Sequence, residues 1–180
     1  MERDVVFKIF ICGEGGVGKT TLTKRYVTGL FDDATKMTIG LDFHKKDLFV
    51  EGKRVALQIW DFAGEDRFRE LLPNYVKGAA GGIFMYDITR FSSLKNLSEW
   101  YYLIREGLKQ SSTSLEIPLL MIGGKIDLDY KRAVTKDEAI DAAQSLKFAG
   151  FGECSAKTGY NIENIFITLA TLMLKSIGMI

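Results

Sequence analysis

The stretch Gly13-Glu14-Gly15-Gly16-Val17-Gly18-Lys19-Thr20 decides the fold. It fits the pattern G-x-x-x-x-G-K-[ST], in which glycines let backbone N–H groups converge on phosphate oxygens that side chains would keep away. Lys19 carries a point charge to the β- and γ-phosphates, and the Thr20 hydroxyl is a ligand for Mg²⁺. Upstream, Val5 to Cys12 is an apolar run that reads as a buried strand. Downstream, a helix opens at Lys19, carries Thr21 in its first turn and meets its stop at Gly29. Its positive dipole end faces the bound phosphates. A bare glycine turn is the alternative reading, and the strand before and helix after argue against it.

Working outward, strand-like and helix-like segments alternate to the end of the chain, which predicts an α/β fold with a largely parallel sheet. Glu51-Gly52-Lys53 is a turn between two strands, Asp42 to Val50 and Val55 to Asp61, and makes them an antiparallel hairpin. Gly81 to Asp87 and Pro118 to Gly123 are further short apolar strands, and Phe151 to Cys154 is the last. Ser92 or Ser93 is expected to cap a helix running to about Lys109. Thr135 with Glu138 is a capping box for a helix to about Lys147, and Asn161 caps the terminal helix. The expectation is one domain over residues 1–180, with six strands and five helices on both faces of the sheet.

Composition narrows the function classes. The 180 residues are 47% hydrophobic and 26% charged with a net charge of +1, so no global field recruits nucleic acid or an anionic membrane. Cys12 and Cys154 are far apart, which fits two buried reduced thiols better than a disulfide framework or a zinc site. The opening Met1-Glu2-Arg3-Asp4 is not a signal peptide, and Ile165 to Leu174 is about half a membrane span.

Four further segments make the chain resemble the small GTPases of the Ras superfamily, most closely the Rab branch. Lys125-Ile126-Asp127 stands where that family has N-K-x-D, and Glu153-Cys154-Ser155-Ala156-Lys157 resembles its E-x-S-A-K loop. Trp60-Asp61-Phe62-Ala63-Gly64-Glu65-Asp66-Arg67-Phe68 resembles the switch II sequence, and Thr38-Ile39-Gly40-Leu41-Asp42-Phe43 the switch I sequence. The resemblance covers about residues 5–175 and implies a phosphate-loop NTPase fold, a six-stranded mixed sheet, and a GTP/GDP switch that uses Mg²⁺. Carried over residue by residue, it implies Mg²⁺ held by Thr20 and Thr38 and, through a water, by Asp61. It implies guanine read by Asp127 beside Lys125 and Leu128, with the backbone of Ser155, Ala156 and Lys157 at O6. Phe31 falls where the family sets an aromatic ring against the base, although its segment also needs a core anchor. The Gly64 amide would meet the γ-phosphate, and Glu65 together with Lys19 and Thr38 would serve hydrolysis. Phe43, Trp60 and Tyr75 align with the ring triad that Rab proteins present to effectors; packing of the sheet against the following helix is the other reading. An exchange factor and an activating protein are implied partners.

Departures from the family pattern carry their own expectations. Glu65 replaces the glutamine that orients the attacking water; a carboxylate accepts from that water but opposes the γ-phosphate charge. Gly124 replaces the asparagine that bonds guanine N7, an expected loss of about 1–3 kcal/mol if nothing compensates. Phe62 replaces threonine as a packing change, and His44 is expected to face solvent. No intrinsic arginine for catalysis stands out, and Gly15 and Gly16 leave room for one from a partner. The chain shows no prenylation cysteine, and Glu2 excludes N-myristoylation. The expected location is cytoplasmic, with membrane association only through a lipidated tail beyond this sequence. Two rivals stand beside the switch: a GTP-binding interaction module with little hydrolysis, and a metabolic phosphotransferase, for which no second substrate lid is visible.

Overall fold

In the computed structural model, residues 3–34, 36–111 and 116–180 are described. β1 (Val5–Cys12) runs parallel to β3 (Lys53–Phe62) on one side and to β4 (Gly81–Asp87) on the other. β5 (Leu119–Gly124) and β6 (Gly150–Glu153) extend the parallel set, and β2 (Leu41–Val50) closes the opposite edge antiparallel to β3. The order β2-β3-β1-β4-β5-β6 is the six-stranded, mostly parallel sheet expected from the alternation of segments. Glu51 (φ 49°) and Gly52 (φ 75°) form a two-residue turn with both central residues left-handed, which suits the twist of the paired strands.

Side chains alternate across the sheet and divide the core in two. Phe7, Ile9 and Ile11 of β1 join Ile83 and Met85 of β4 on one face, under α1 (Lys19–Thr28) and α7 (Ile162–Ser176). There Tyr26 of α1 stacks on Phe166 of α7 with ring centres 3.8 Å apart. Phe10, Cys12, Phe84 and Tyr86 point to the other face. They meet α3 (Leu72–Tyr75), α5 (Leu97–Lys109) and α6 (Lys136–Ser145), with Trp100 wholly buried. Both cysteines are free and buried, and burial pushes each thiol up to about 12.

The helix count differs from expectation: seven α-helices and a 3-10 turn (Ile126–Lys131) among the described residues, not five. The segment after β3 splits into α2 (Asp66–Arg69) and α3, with a proline at the start of α3. The expected Ser92–Lys109 helix breaks at Asn96 (φ −93°, ψ 15°) into α4 (Ser92–Lys95) and α5. Neither serine caps it. The Ser93 hydroxyl instead accepts from the Asp87 N–H and donates to the Arg90 carbonyl, fastening the end of β4. Asn161 stands at the N-cap of α7 as read but makes no side-chain capping bond; it takes a left-handed φ of 62°, and its amide donates to the Glu153 carbonyl. The Thr135–Glu138 capping box forms as read, and so does the left-handed Gly29 stop of α1. His44 is half-buried, not solvent-facing, and the Asp42 carboxylate on the same face of β2 lies 3.1 Å away.

Gly107 lets α3 approach α5 closely, since a Cβ there would lie 2.3 Å from Val76 and 2.4 Å from the Pro73 carbonyl oxygen. Alanine gains about 1 kcal/mol in helix propensity, but overpacking against backbone costs about 1–3 kcal/mol. Gly107→Ala is therefore expected to lower the urea midpoint. A raised midpoint would show that the two helices separate easily.

Candidate functional site

The parallel strands all end at one edge of the sheet, and a cavity of about 410 Å³ opens there. Gly15, Gly16, Val17 and Gly18 line it with Lys19, Thr20 and Thr21 at the start of α1. Gly13 lies outside the lining, but glycine is forced there: φ is 138° and a Cβ would sit 2.1 Å from the Met85 carbonyl oxygen. No side chain caps α1, which leaves its first N–H groups facing the cavity.

Lys19 is buried, and its ammonium donates to the Gly13 and Glu14 carbonyls at 2.8 Å each. Burial pushes its pKa down to about 8 against the pull of Asp61. A buried cation of this kind gains most from an anionic ligand. Behind the loop, the Lys125 ammonium donates to the Gly16 carbonyl and pairs with Asp87, each at 2.8 Å. Burial pushes the Asp87 carboxyl up, but bonds from Lys125 and Thr89 outweigh it and hold the pKa below the ordinary value.

Thr20, Thr38 and Asp61 come together. The two hydroxyls are 2.5 Å apart, and Thr20 donates to the Asp61 carboxylate. Asp61 is fully buried, and its other oxygen has no hydrogen-bond partner. Burial raises its pKa, with the Thr20 bond and Lys19 drawing it back. Two hydroxyls and one orphaned carboxylate oxygen are hard donors that fit Mg²⁺, which is held by few protein oxygens together with substrate phosphate and water.

The opposite end of the cavity is lined by Phe31, Lys125, Asp127, Leu128, Ala156 and Lys157. Phe31 is half-buried at the cavity wall, outside the core. Ser155 is buried behind the lining and donates to Asp127 at 2.6 Å, which fixes that carboxylate. Arg132 clasps Glu153 with two bonds and binds Asp129, tying the 3-10 turn to β6. The space that a side chain at Gly124 would take is occupied: a Cβ there would lie 2.4 Å from the terminal methyl of Met85. Met85 also lines the cavity, a role that a buried strand position does not announce in sequence.

Gly64 and Glu65 line the cavity's phosphate end. A Cβ on Gly64 would be 2.3 Å from the Gly15 nitrogen, so only glycine allows this segment to lie on the loop. The Glu65 carboxylate accepts from Arg67 at 2.6 Å, a partner sequence reading did not foresee. Glu14 sends its side chain away from the cavity, where Arg69, Asn96 and Trp100 all donate to its carboxylate. Arg69 also reaches Asp66 and Glu99 and lies over the Trp100 ring. Arg90 donates to the Gly15 carbonyl at 2.5 Å, so the space beside the loop is partly taken by the chain's own arginine.

Phe43, Trp60 and Tyr75 form a continuous aromatic row, with ring centres 5.9 Å and 6.1 Å apart. Phe43 is exposed, whereas Trp60 and Tyr75 are half-buried against the core. Phe62 is wholly buried and supports Tyr75 at 5.7 Å, as a packing residue.

Met85 makes the Gly124 expectation testable. Gly124→Asn alone is expected to lose about 1–3 kcal/mol of stability through overpacking. Paired with Met85→Ala, the asparagine has room and that loss should shrink. Thermal unfolding of both variants checks this. Equal losses would show that the methyl moves aside without cost.

Among the described residues, no helix is long and apolar enough to cross a membrane. A model of the Ras family matches residues 8–175. The chain is 39% identical to the Ras-related protein Rab-13 of Canis lupus familiaris, across 97% of this chain and 84% of that one. It is 39% identical to the Ras-related protein RABC1 of Arabidopsis thaliana, across 97% and 80%, and 37% identical to the Ras-related protein Rab-19 of Xenopus laevis, across 93% and 76%. The match spans both ends of the cavity, from the phosphate loop to the Ser155–Lys157 turn. The chain therefore belongs to the Ras family, as a Rab-like small GTPase.

Proposed function

We propose that this chain is a GTP/GDP switch that holds Mg²⁺ through Thr20 and Thr38, with Asp61 bound through a water, and reads guanine through Asp127. The observation that carries the reading is the convergence of Thr20, Thr38 and Asp61 beside buried Lys19, at one end of a cavity whose other end presents Asp127. The fixed Asp127 carboxylate offers two acceptors to the adjacent N–H donors of guanine. Adenine lacks that donor pair, and a half-buried carboxylate that a bound base would cover without meeting it disfavours adenine. Leu128, Ala156 and Lys157 close the base site, and Phe31 covers it.

Mg²⁺, when bound, neutralises phosphate charge as it develops in hydrolysis. Lys19 holds the β- and γ-phosphates, and the Gly64 amide is placed to meet the γ-phosphate. Glu65 accepts a hydrogen bond from the attacking water, and Arg67 offsets the repulsion between that carboxylate and the phosphate. The Thr38 hydroxyl would ligate Mg²⁺ while the γ-phosphate is present; hydrolysis would remove that tie, and the Gly40–Ala63 backbone bond joins this segment to switch II. Phe43, Trp60 and Tyr75 lie between the two switches and serve effectors in trafficking or signalling, with exchange factors and activating proteins setting the state.

Denaturing the purified protein should release GDP or GTP and no adenine nucleotide. Lys19→Ala should abolish tight GDP binding in calorimetry, and Asp127→Asn should shift preference toward xanthine nucleotides. Single-turnover hydrolysis should be slow in the native protein and slowest in Glu65→Leu. Bound ATP would overturn the guanine assignment, and equal rates for native, Glu65→Gln and Glu65→Leu proteins would remove Glu65 from the reaction.

A further inference from the structure

We propose that Arg90 is a positioning residue for GTP hydrolysis, a cation supplied by the chain itself to the back of the phosphate loop. The inference rests on the phosphate-cavity reading above.

The geometry is specific. Arg90 Nη2 donates to the Gly15 carbonyl oxygen at 2.5 Å, and Nη1 lies 3.6 Å from where a Gly16 Cβ would be. Among the described residues no peptide is cis. A trans peptide carries its C=O and N–H on opposite sides. Drawing the Gly15 carbonyl outward therefore turns the N–H of Gly16 inward, toward the cavity that Gly16 lines. Lys125 does the same one peptide later, by holding the Gly16 carbonyl and so aiming the Val17 N–H. Two cations behind the loop thus orient two consecutive inward donors. A charge-assisted bond at the carbonyl also polarises its peptide and strengthens the N–H on the far side.

Arg90 is built to hold this pose. Its backbone N–H donates to the Asp87 carbonyl, and its own carbonyl accepts from the Ser93 hydroxyl. Among the described residues no carboxylate pairs with its guanidinium, whereas Lys125 has Asp87. Its charge is therefore felt by the loop itself.

In hydrolysis, the water oxygen bonds to the γ-phosphorus and the bond to the bridging oxygen breaks, leaving its electron pair on GDP. The displaced proton passes to phosphate or solvent. Negative charge shifts among phosphate oxygens during this step, and donors aimed and polarised in advance stabilise it without reorganising. Arg90 acts through Gly15 and Gly16, in addition to any arginine supplied by a partner.

The test uses the full chain and four variants: Arg90→Ala, Arg90→Lys, Arg90→Gln and Lys19→Ala. Single-turnover hydrolysis at saturating GTP and GDP release are both measured. Arg90→Ala is expected to hydrolyse about tenfold more slowly at saturation, the scale of losing one charged hydrogen bond. Arg90→Lys should recover most of the rate, and Arg90→Gln, a donor without charge, should recover little. An unchanged saturating rate in folded Arg90→Ala would overturn the proposal. Should that variant not fold, equal rates in the lysine and glutamine variants would overturn it as well. Lys19→Ala separates the two readings. Unchanged GDP binding there overturns the phosphate cavity and this proposal together, whereas lost binding there with an unaffected Arg90 series overturns this proposal alone.

Discussion

Phosphate held against a peptide backbone needs N–H groups facing one way, and carbonyls facing the other must then find donors of their own. The rest of the structure follows from that requirement. Lys19 takes the Gly13 and Glu14 carbonyls from the front, while Arg90 and Lys125 take those of Gly15 and Gly16 from behind. Each donor is placed by a different part of the sheet: Lys19 by α1 after β1, Arg90 by the turn after β4, Lys125 by the end of β5. The strand order that sets these ends side by side is therefore part of the binding site.

The switch segments are attached to the same loop by different means. Gly64 touches it through backbone alone, at a spacing that no side chain permits. Arg69 reaches it through Glu14 and through nothing in the cavity. The Gly64 contact borders the cavity, while the Arg69–Glu14 contact lies outside its lining. A segment hinged at one end and free at the other can change shape without leaving the body of the protein.

The fold and the polar residues of the site were legible in sequence where chemistry demands a residue type at a fixed local spacing. Gly13 to Thr20, the Asp127 segment and the Ser155 turn are of this kind, and so is the Thr135–Glu138 capping box. What escaped reading was the company these residues keep across long stretches of chain. Glu14 meets Arg69, Asn96 and Trp100, which lie 55, 82 and 86 positions away, and no local pattern joins them. Arg90 followed a strand with nothing nearby to mark it, and lies 75 positions from the carbonyl it holds. Ser93 failed as a cap for a related reason: its hydroxyl, close to a strand end, bonds there and not at a helix start. The break at Asn96 left no signal as strong as a proline or glycine.

The contact between Met85 and the space above Gly124 bears on how such a protein can diverge. With the methyl in place, a side chain at residue 124 requires the end of Met85 to shift, since a Cβ would stand 2.4 Å from it. Positions 85 and 124 therefore share one volume, and a substitution at either changes what the other accepts. A larger residue at 124 and a shorter one at 85 compensate for each other, so the two positions are expected to vary as a pair.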